Sequence, residues 1–278
     1  PYGDVWLLLR PMAYKVHPYK WDTIGKEISH ISEAKMDDVK NFFKRFYVPC
    51  NAILVVSGNI ETEKVKELSE KWFAPIPAGE KHKRSLPKEP AQTEKRTLTV
   101  ERDVPFDAIY KAYHICSRLD KDYHAMDLLS DILSRGNSSR LYNALIIEKK
   151  LFSEITAFVS GDMDEGLFIV TGKLLKGVKM EDAEKGIDEE LRKLSEQQTP
   201  DSELNKVKNK VESALIFGEM SVANKALNLA ISELMGDAEM INHETEKYLA
   251  VSKEQIQNIS KKVFTENNSS VLYYHSKK

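Results

Sequence analysis

Residues 37–57 read DDVKNFFKRFYVPCNAILVVS and contain the unit that decides the fold. Apolar side chains recur every three or four residues from Val39 to Phe46, which predicts an amphipathic helix that Pro49 ends. After an asparagine-bearing turn, the β-branched apolar run at residues 52–57 predicts a strand that is buried on both faces. The stretch is therefore predicted to form a helix–turn–strand unit.

The same unit recurs 217 residues later in the chain. This shift aligns residues 38–47 with residues 255–264, and it aligns Asn51 with Asn268 just before each apolar run. Identical residues are few, so two explanations stay open: a duplicated domain, or chance convergence of a common helix-to-strand unit. If the repeat is real, its period predicts that roughly 126 residues of the first copy precede Pro1.

The rest of the chain predicts a sheet with packed helices. Alternating or continuous apolar runs predict strands at residues 97–102, 108–115, 153–160, 167–174 and 270–275. A glycine-bounded loop joins the third and fourth of these strands into a hairpin, which requires an antiparallel pair. Helices are expected at residues 61–73, 122–134, 140–150, 180–197, 201–235 and 253–264. The predicted fold class is α+β with mostly antiparallel sheets.

The chain length of 278 residues corresponds to about two domains. Prolines and charged residues cluster in residues 75–90, which form the only plausible interdomain linker. We therefore expect residues 1–74 to be the C-terminal remainder of a first domain and residues 91–278 to be a complete second domain.

Composition excludes several classes of protein. The chain has 41 basic and 43 acidic residues and a formal net charge of −2, so no strong field attracts nucleic acid or anionic lipid. Its apolar runs fall short of the ~20 residues that a membrane-spanning helix needs. We expect neither nucleic acid nor membrane as a partner, and a soluble protein of the cytoplasm or the bacterial periplasm. The start at Pro1 without a secretory leader predicts that an upstream part has been removed.

Motifs for catalysis are not found in the chain. Its seven histidines form no HxxxH, HExxH or HxxEH pattern, and neither cysteine stands at metal-ligand spacing. Asp127 and Asp131 lie one turn apart on a predicted helix and suggest metal or acid–base chemistry. Without a third converging ligand, a solvated helix face is the favoured interpretation. We therefore predict no catalytic residue and no metal ligand in this chain.

Two series of motifs resemble those of the M16 zinc metallopeptidases, the group of insulinase and the mitochondrial processing peptidase. Residues 17–25 read HPYKWDTIG, and residues 43–59 carry FKRFY, PCNA and VSGN in the family's order and spacing. Downstream, residues 138–142 read SSRLY and residues 148–151 read EKKL. The resemblance covers nearly the whole chain, and its first series is the more specific.

This resemblance implies duplicated M16 domains of similar α+β fold, the first of them incomplete here. It also implies an inverted HxxEH motif upstream, in which two histidines and a later glutamate hold zinc while the motif's glutamate activates water. All three ligands would precede Pro1, so zinc is expected in the parent protein and not in this chain. Alignment on Gly136 puts Asp127, Ser130 and Asp131 at the corresponding positions of the second domain, where no zinc site is expected.

The resemblance also implies where a substrate is held. Active members carry an arginine and a tyrosine after the SRL segment, and the alignment puts Ile146 and Ser153 at these positions, so the usual clamp is in doubt. The candidate chamber-facing, substrate-binding residues are Arg140, Tyr142, Ile146 and Ser153. The alternative is that Tyr142 and Ile146 belong to the core and that Arg140 lies on the surface.

The predicted function is that of the C-terminal portion of an M16 zinc metalloendopeptidase. It lacks the zinc ligands, is inactive alone and contributes to the chamber in which internal bonds of unfolded peptides are cleaved. The expected partners are the missing N-terminal segment, a peptide that adds as a strand to a sheet edge, and a second M16 subunit in a homo- or heterodimer.

Two other functions stay open. The chain can belong to a noncatalytic M16 partner that binds peptide or scaffolds a catalytic subunit, or it can be an unrelated α+β binding module. An HxxEH motif in the upstream sequence discriminates the enzyme from the noncatalytic partner.

Overall fold

The computed structural model describes residues 1–277 as an α+β fold with one five-stranded sheet. The strands are β1 (Arg96–Arg102), β2 (Ala108–His114), β3 (Phe152–Val159), β4 (Leu167–Leu174) and β5 (Ser269–Ser276). The α-helices are α1 (Val5–Ala13), α2 (Ser29–Ser32), α3 (Met36–Phe46), α4 (Thr62–Phe73), α5 (Tyr123–Ser134), α6 (Met180–Glu196), α7 (Asp201–Gly218), α8 (Val222–Met235), α9 (Met240–Leu249) and α10 (Lys253–Val263). None of these helices combines the length and the apolar character that a membrane span requires.

The sheet has the strand order β1-β5-β2-β4-β3. Only β1 and β5 pair in parallel, whereas β5 with β2, β2 with β4 and β4 with β3 are antiparallel. The predicted hairpin is the β3–β4 pair. The mostly antiparallel α+β class is therefore confirmed.

The chain divides into two compact units. Unit 1 comprises residues 1–22, 87–211 and 246–278, and unit 2 comprises residues 23–86 and 212–245. These units group residues by contact and are not continuous in sequence. The linear division at residues 1–74, 75–90 and 91–278 stays a prediction about how the domains are organised along the gene.

The sheet of unit 1 carries α1 on one face. Val5, Leu9 and Met12 of this helix are buried together with Ala108, Tyr110 and Ala112 of β2 and with Leu272 and Tyr274 of β5. Because side chains alternate across a strand, Ile109, Lys111 and Tyr113 point to the opposite face, which α5, α6 and α10 cover. The apolar run VWLLLRPMA at the start of the chain is thus a core element of the sheet.

The shift of 217 residues reappears in the element boundaries. It maps α3 onto α10 residue for residue, and it maps the short 3₁₀ helix at Pro49–Asn51 onto that at Glu266–Asn268. The two asparagines make the same contact. The Nδ2 of Asn51 donates to the carbonyl of Phe46 at 3.4 Å, and the Nδ2 of Asn268 donates to the carbonyl of Val263 at 3.0 Å. This agreement supports duplication over chance convergence.

The duplicated helices are distributed over both units. The same shift maps the first residue of α1, Val5, onto the first residue of α8, Val222. Helix α1 lies in unit 1 with the second copy of the repeat, whereas α8 lies in unit 2 with the first copy. Each unit therefore contains a helix from the other copy.

The predicted buried strand at residues 52–57 is wrong. These residues have no regular secondary structure, and Leu54 and Val56 are 58% and 47% exposed. A strand needs neighbours that take up its backbone N–H and C=O groups, and within residues 1–277 all strands lie in unit 1. The equivalent residues 269–274 form β5 because β1 and β2 flank them.

Two helix predictions also need correction. The segment at residues 140–150 contains a π-helix, Tyr142–Glu148, in place of a continuous α-helix. The long helical region at residues 201–235 is divided into α7 and α8 by a turn at residues 219–221. Helices α1, α2 and α9 were not predicted from the sequence. Pro11 lies inside α1 and hides its helical pattern, because proline normally breaks a helix interior.

We predict that Leu9→Ala lowers the free energy of unfolding of unit 1 by about 2 to 5 kcal/mol, since Leu9 is fully buried against the sheet. Leu7→Ala is the matched control. Leu7 lies on the same helix but is 54% exposed, so the change is expected to stay within about 0.5 kcal/mol. Urea unfolding followed by circular dichroism measures both. Equal effects of the two variants would contradict the packing of α1.

Candidate functional site

Glu89 binds the backbone of the segment that follows α1. Its carboxylate accepts hydrogen bonds from the consecutive N–H groups of Lys15, Val16 and His17 at 2.7, 2.8 and 2.8 Å. Burial alone would raise the pKa of Glu89, but these three backbone donors outweigh it and lower the pKa below its ordinary value. The end of the predicted linker therefore fixes the start of the HPY motif.

The carboxyl end of α1 is satisfied by side chains from the sheet. The Nη1 of Arg96 donates to the carbonyls of Met12 and Ala13 at 3.0 and 2.6 Å. His114 contributes a second donor, with its Nε2 at 3.0 Å from the Ala13 carbonyl. Carbonyl groups at a helix end have no partner within the helix, so these contacts fix both the position and the direction of α1.

His17 of the HPY motif is a structural residue in unit 1. Its Nδ1 accepts from the N–H of Tyr19 at 3.2 Å, so the neutral ring carries its proton on Nε2 and donates to Asp164 at 3.0 Å. Only 3% of His17 is exposed. The imidazole is thus engaged on both nitrogens and has no position left for a metal ion.

The positions aligned with HxxEH are occupied by internal contacts. Tyr248 donates to Asp127 at 2.6 Å, Ser130 donates to the carbonyl of Asp127, and Arg135 donates to Asp131 at 2.7 Å. Burial raises the pKa of Asp131, while the Arg135 guanidinium opposes that shift. The interpretation of Asp127 and Asp131 as a solvated helix face is therefore wrong, because both side chains are partnered inside the fold.

These residues do not fit a zinc ion. Two carboxylates and a hydroxyl replace the histidine-rich donor set that zinc prefers, and each already has a partner in the chain. Across residues 1–277, no group of three or more histidine, cysteine or acidic side chains is arranged to hold a metal.

Arg140, the first candidate chamber residue, forms a bidentate ion pair. Its Nε lies 3.0 Å from Oε1 of Glu203, and its Nη2 lies 2.7 Å from Oε2. The two side chains are each 16% exposed. The pair joins a residue two positions before the π-helix to the first turn of α7, so Arg140 has a structural partner. A contact of Arg140 with substrate stays a prediction.

The other three candidates lie on neighbouring elements. Tyr142 and Ile146 are half-buried in the π-helix, whose turn is wider than that of an α-helix. Ser153 is exposed on β3, where its hydroxyl donates to the carbonyl of Lys173 at 3.2 Å. Their role toward a substrate also stays a prediction.

Strand β3 is an edge of the sheet, since β4 flanks it on one side only. Its pairing with β4 is irregular between Phe152 and Glu154. An edge strand presents unpaired backbone N–H and C=O groups and can accept an extended peptide by strand addition. This edge begins next to the π-helix that holds Tyr142 and Ile146.

Sequence reasoning missed Glu89. Pro87 and Pro90 frame it, and such a segment is typical of a stiff, extended connection. Nothing in that pattern indicates that the carboxylate meets three backbone donors more than 70 residues away. The HPY motif could be recognised by its resemblance to a known family, but its contact with Glu89 could not be predicted.

Comparison with known proteins is consistent with this geometry. Residues 34–211 match the family described as the peptidase M16 inactive domain. The curated zinc protease PqqE of Helicobacter pylori is 28% identical over 276 residues, which cover 98% of this chain and 62% of that protein. This chain therefore spans less than two thirds of that relative.

Two solved structures are similar over almost the whole chain. The crystal structure of a protease from Helicobacter pylori aligns with a TM-score of 0.89 at 27% identity and covers 99% of this chain and 67% of that one. A peptidase M16 inactive domain from Pseudomonas fluorescens aligns with a TM-score of 0.85 at 17% identity, covering 98% and 64%. The second similarity concerns the fold alone.

We predict that Glu89→Gln lowers the free energy of unfolding at pH 7 by about 1 to 3 kcal/mol, because a neutral amide binds three N–H donors less strongly than a carboxylate. The lowered pKa gives Glu89 a contribution that is present above its ordinary pKa and is lost as the pH falls through the folded-state value. The difference between the two proteins should therefore shrink below about pH 4.

Denaturant unfolding at a series of pH values measures this difference. Glu94→Gln is the control, since Glu94 is a nearby exposed glutamate. A gap between Glu89→Gln and the wild type that does not change with pH would show that the carboxylate charge is unimportant.

Proposed function

The chain belongs to the peptidase M16 inactive domain family, and from this premise we propose that it is the C-terminal, non-zinc portion of a zinc metalloendopeptidase. In this proposal it closes the chamber in which an unfolded peptide is cleaved, and the zinc ligands lie in the upstream part of the parent protein. The match of residues 34–211 to that family is the observation that carries the proposal.

The chemistry of this chain supports a role without metal. The positions aligned with HxxEH hold Asp127, Ser130 and Asp131, and all three are hydrogen-bonded internally. No hydrolytic step is therefore assigned to residues of this chain. Its own contribution is to bind and orient the peptide backbone and to exclude water around it.

Unit 2 carries apolar surface that supports an upstream partner segment. Phe42 and Phe43 of α3 are 57% and 59% exposed, and on α8 Leu227 and Leu234 are exposed as well. Contiguous exposed apolar surface marks an interaction site. The repeat supports an upstream segment as the partner, because residues 52–57 are the counterpart of β5, which lies between two strands. We propose that the upstream segment supplies the strands that flank residues 52–57.

Peptide binding is proposed at the free edge of β3. A substrate strand added there would run beside the π-helix, which brings it near Tyr142, Ile146 and Ser153. Backbone hydrogen bonds to an edge strand do not depend on side-chain identity, so this mode suits a peptidase that accepts many unfolded sequences.

A noncatalytic M16 partner is the second candidate. The observation that favours it is the presence of Ile146 and Ser153 where active members carry an arginine and a tyrosine. Neither side chain can replace a cationic or phenolic donor, and the Ser153 hydroxyl already donates within the sheet. In this case the chain binds peptide or scaffolds a catalytic subunit, in a homo- or heterodimer with another M16 chain.

We predict that the parent protein binds one zinc ion and cleaves an unstructured peptide, whereas the 278-residue chain does neither. Metal analysis and a fluorogenic peptide assay measure both properties, and chelation followed by zinc addition is the control. Stoichiometric zinc in the chain alone would overturn the assignment of the ligands. A well-folded parent that lacks both zinc and activity would establish the noncatalytic partner instead.

We also predict that the amides of residues 53–56 exchange rapidly in the chain alone and become protected in the parent protein, because they gain strand partners there. Hydrogen exchange with mass spectrometry measures this change. The equivalent residues 270–273 are the internal control and should be protected in both proteins, since they belong to β5. Unchanged exchange at residues 53–56 would contradict strand completion.

A further inference from the structure

Lys111 is a buried cation in the middle of the sheet. It lies on β2 with 3% of its surface exposed, on the face that α6 and α10 cover. Register places it beside Val271 of β5, and it places Tyr113 beside Ser269. A lysine is almost never fully buried unless it is paired, so its surroundings call for an explanation.

Two carboxylates from α6 neutralise this lysine. Its Nζ lies 3.2 Å from Glu184 and also contacts Asp188. Glu184 also forms an ion pair with Lys95 at 2.9 Å and accepts a hydrogen bond from the hydroxyl of Tyr273 at 2.7 Å. Burial alone would raise the pKa of Glu184, but these donors lower it and keep the group ionised. Two ammonium groups therefore balance two carboxylates.

A cavity of about 300 Å³ opens beside this network. Its walls include Lys95, Lys111, Tyr113, Asp188, Arg192 and Glu266. A volume of this size is at the small end of the range for ligand pockets. The cavity lies on the face of the sheet opposite α1, and nothing in the proposed peptidase role uses it.

Tyr113 provides the observation that points to a ligand. The residue is 3% exposed, yet its hydroxyl makes no hydrogen bond with any residue that the structure describes. Burial, with Asp188 and Glu184 nearby, raises the pKa of Tyr113 well above its usual value, so the hydroxyl keeps its proton and remains a donor. Tyr113 lines the cavity, so its hydroxyl can donate to a molecule bound there.

The unused hydrogen-bonding capacity of the cavity is mainly that of donors. Lys111 uses two of its three N–H groups on carboxylates, and Lys95 uses one. Arg192 makes one hydrogen bond, to Glu196, and retains further N–H groups. Asp188 is already engaged by Lys111, so a cation would compete with an existing ion pair. Glu266 also lines the cavity and is exposed to solvent.

We propose that this cavity binds a small oxyanion, a carboxylate or a phosphate, with Tyr113 and Lys111 as donors at its base and Lys95 and Arg192 as donors on its walls. Such a ligand satisfies the Tyr113 hydroxyl and the spare N–H groups together, and charge-assisted hydrogen bonds of this kind are the stronger ones. The site is independent of peptide cleavage.

Tyr113→Phe tests the proposal in the 278-residue chain, because the change removes only a hydroxyl that has no partner in the chain. Isothermal titration with inorganic phosphate, at constant ionic strength in chloride, should give saturable binding to the wild type. We expect the variant to keep the melting temperature of the unliganded protein and to bind phosphate about tenfold more weakly.

Arg192→Gln should weaken binding as well, although its melting temperature stays close to that of the wild type. The controls are Tyr47→Phe, on an exposed tyrosine, and Lys64→Gln, which breaks a similarly exposed ion pair within a helix away from the cavity. Both controls should bind phosphate as the wild type does. Absence of saturable binding of both phosphate and a peptide carboxylate to the wild type, or equal binding in the cavity variants and the controls, would overturn the proposal.

A second comparison identifies the source of the oxyanion. An acetylated dipeptide with a free C-terminal carboxylate is titrated beside its C-terminal amide. Binding of the acid alone supports a peptide carboxylate, and binding of phosphate alone supports a free inorganic or metabolite anion. Equal binding of the acid and the amide would contradict recognition of charge. Because the readout is binding, failure here leaves the peptidase proposal unaffected.

Discussion

The carboxylate of Glu89 is the constraint on which the arrangement of unit 1 depends. By accepting three consecutive backbone N–H groups, it determines where the chain leaves α1. Arg96 then satisfies the carbonyls at the end of the same helix. With both contacts in place, the apolar face of α1 can cover β2 and β5, and that face would otherwise be open to water. Polar contacts at the end of α1 thus act together with the burial of its apolar face.

The repeat shows how strongly a strand depends on its neighbours. Residues 52–57 and 269–274 follow equivalent helices and equivalent asparagines, yet only the second segment is a strand. The difference cannot come from the local sequence, since both runs are apolar and rich in residues that favour strands. It comes from β1 and β2, which flank the second run and have no counterpart in unit 2 among residues 1–277.

Local sequence patterns predicted much of the fold, but they could not predict contacts between residues far apart in the sequence. Periodicity was sufficient for α3, α10 and the β3–β4 hairpin, because each is determined by residues close in sequence. Helix α1 was missed since Pro11 opposes the helix that tertiary packing stabilises. The Arg140–Glu203 pair joins residues 63 positions apart, so spacing could not reveal that this candidate chamber residue has an internal partner. Lys111 is a further example, since the carboxylates that explain its burial belong to α6, more than 70 residues away along the chain.

The distribution of α1 and α8 over the two units has a consequence for how such a protein can change. Severing residues 75–90 would not yield two independent modules, because α1 would be separated from the sheet that it covers and α8 from the unit that contains it. Recombination at that junction is disfavoured for the same reason, and a domain transplanted alone would unfold or aggregate. Insertions are expected to accumulate in surface loops instead, with both halves inherited as one piece.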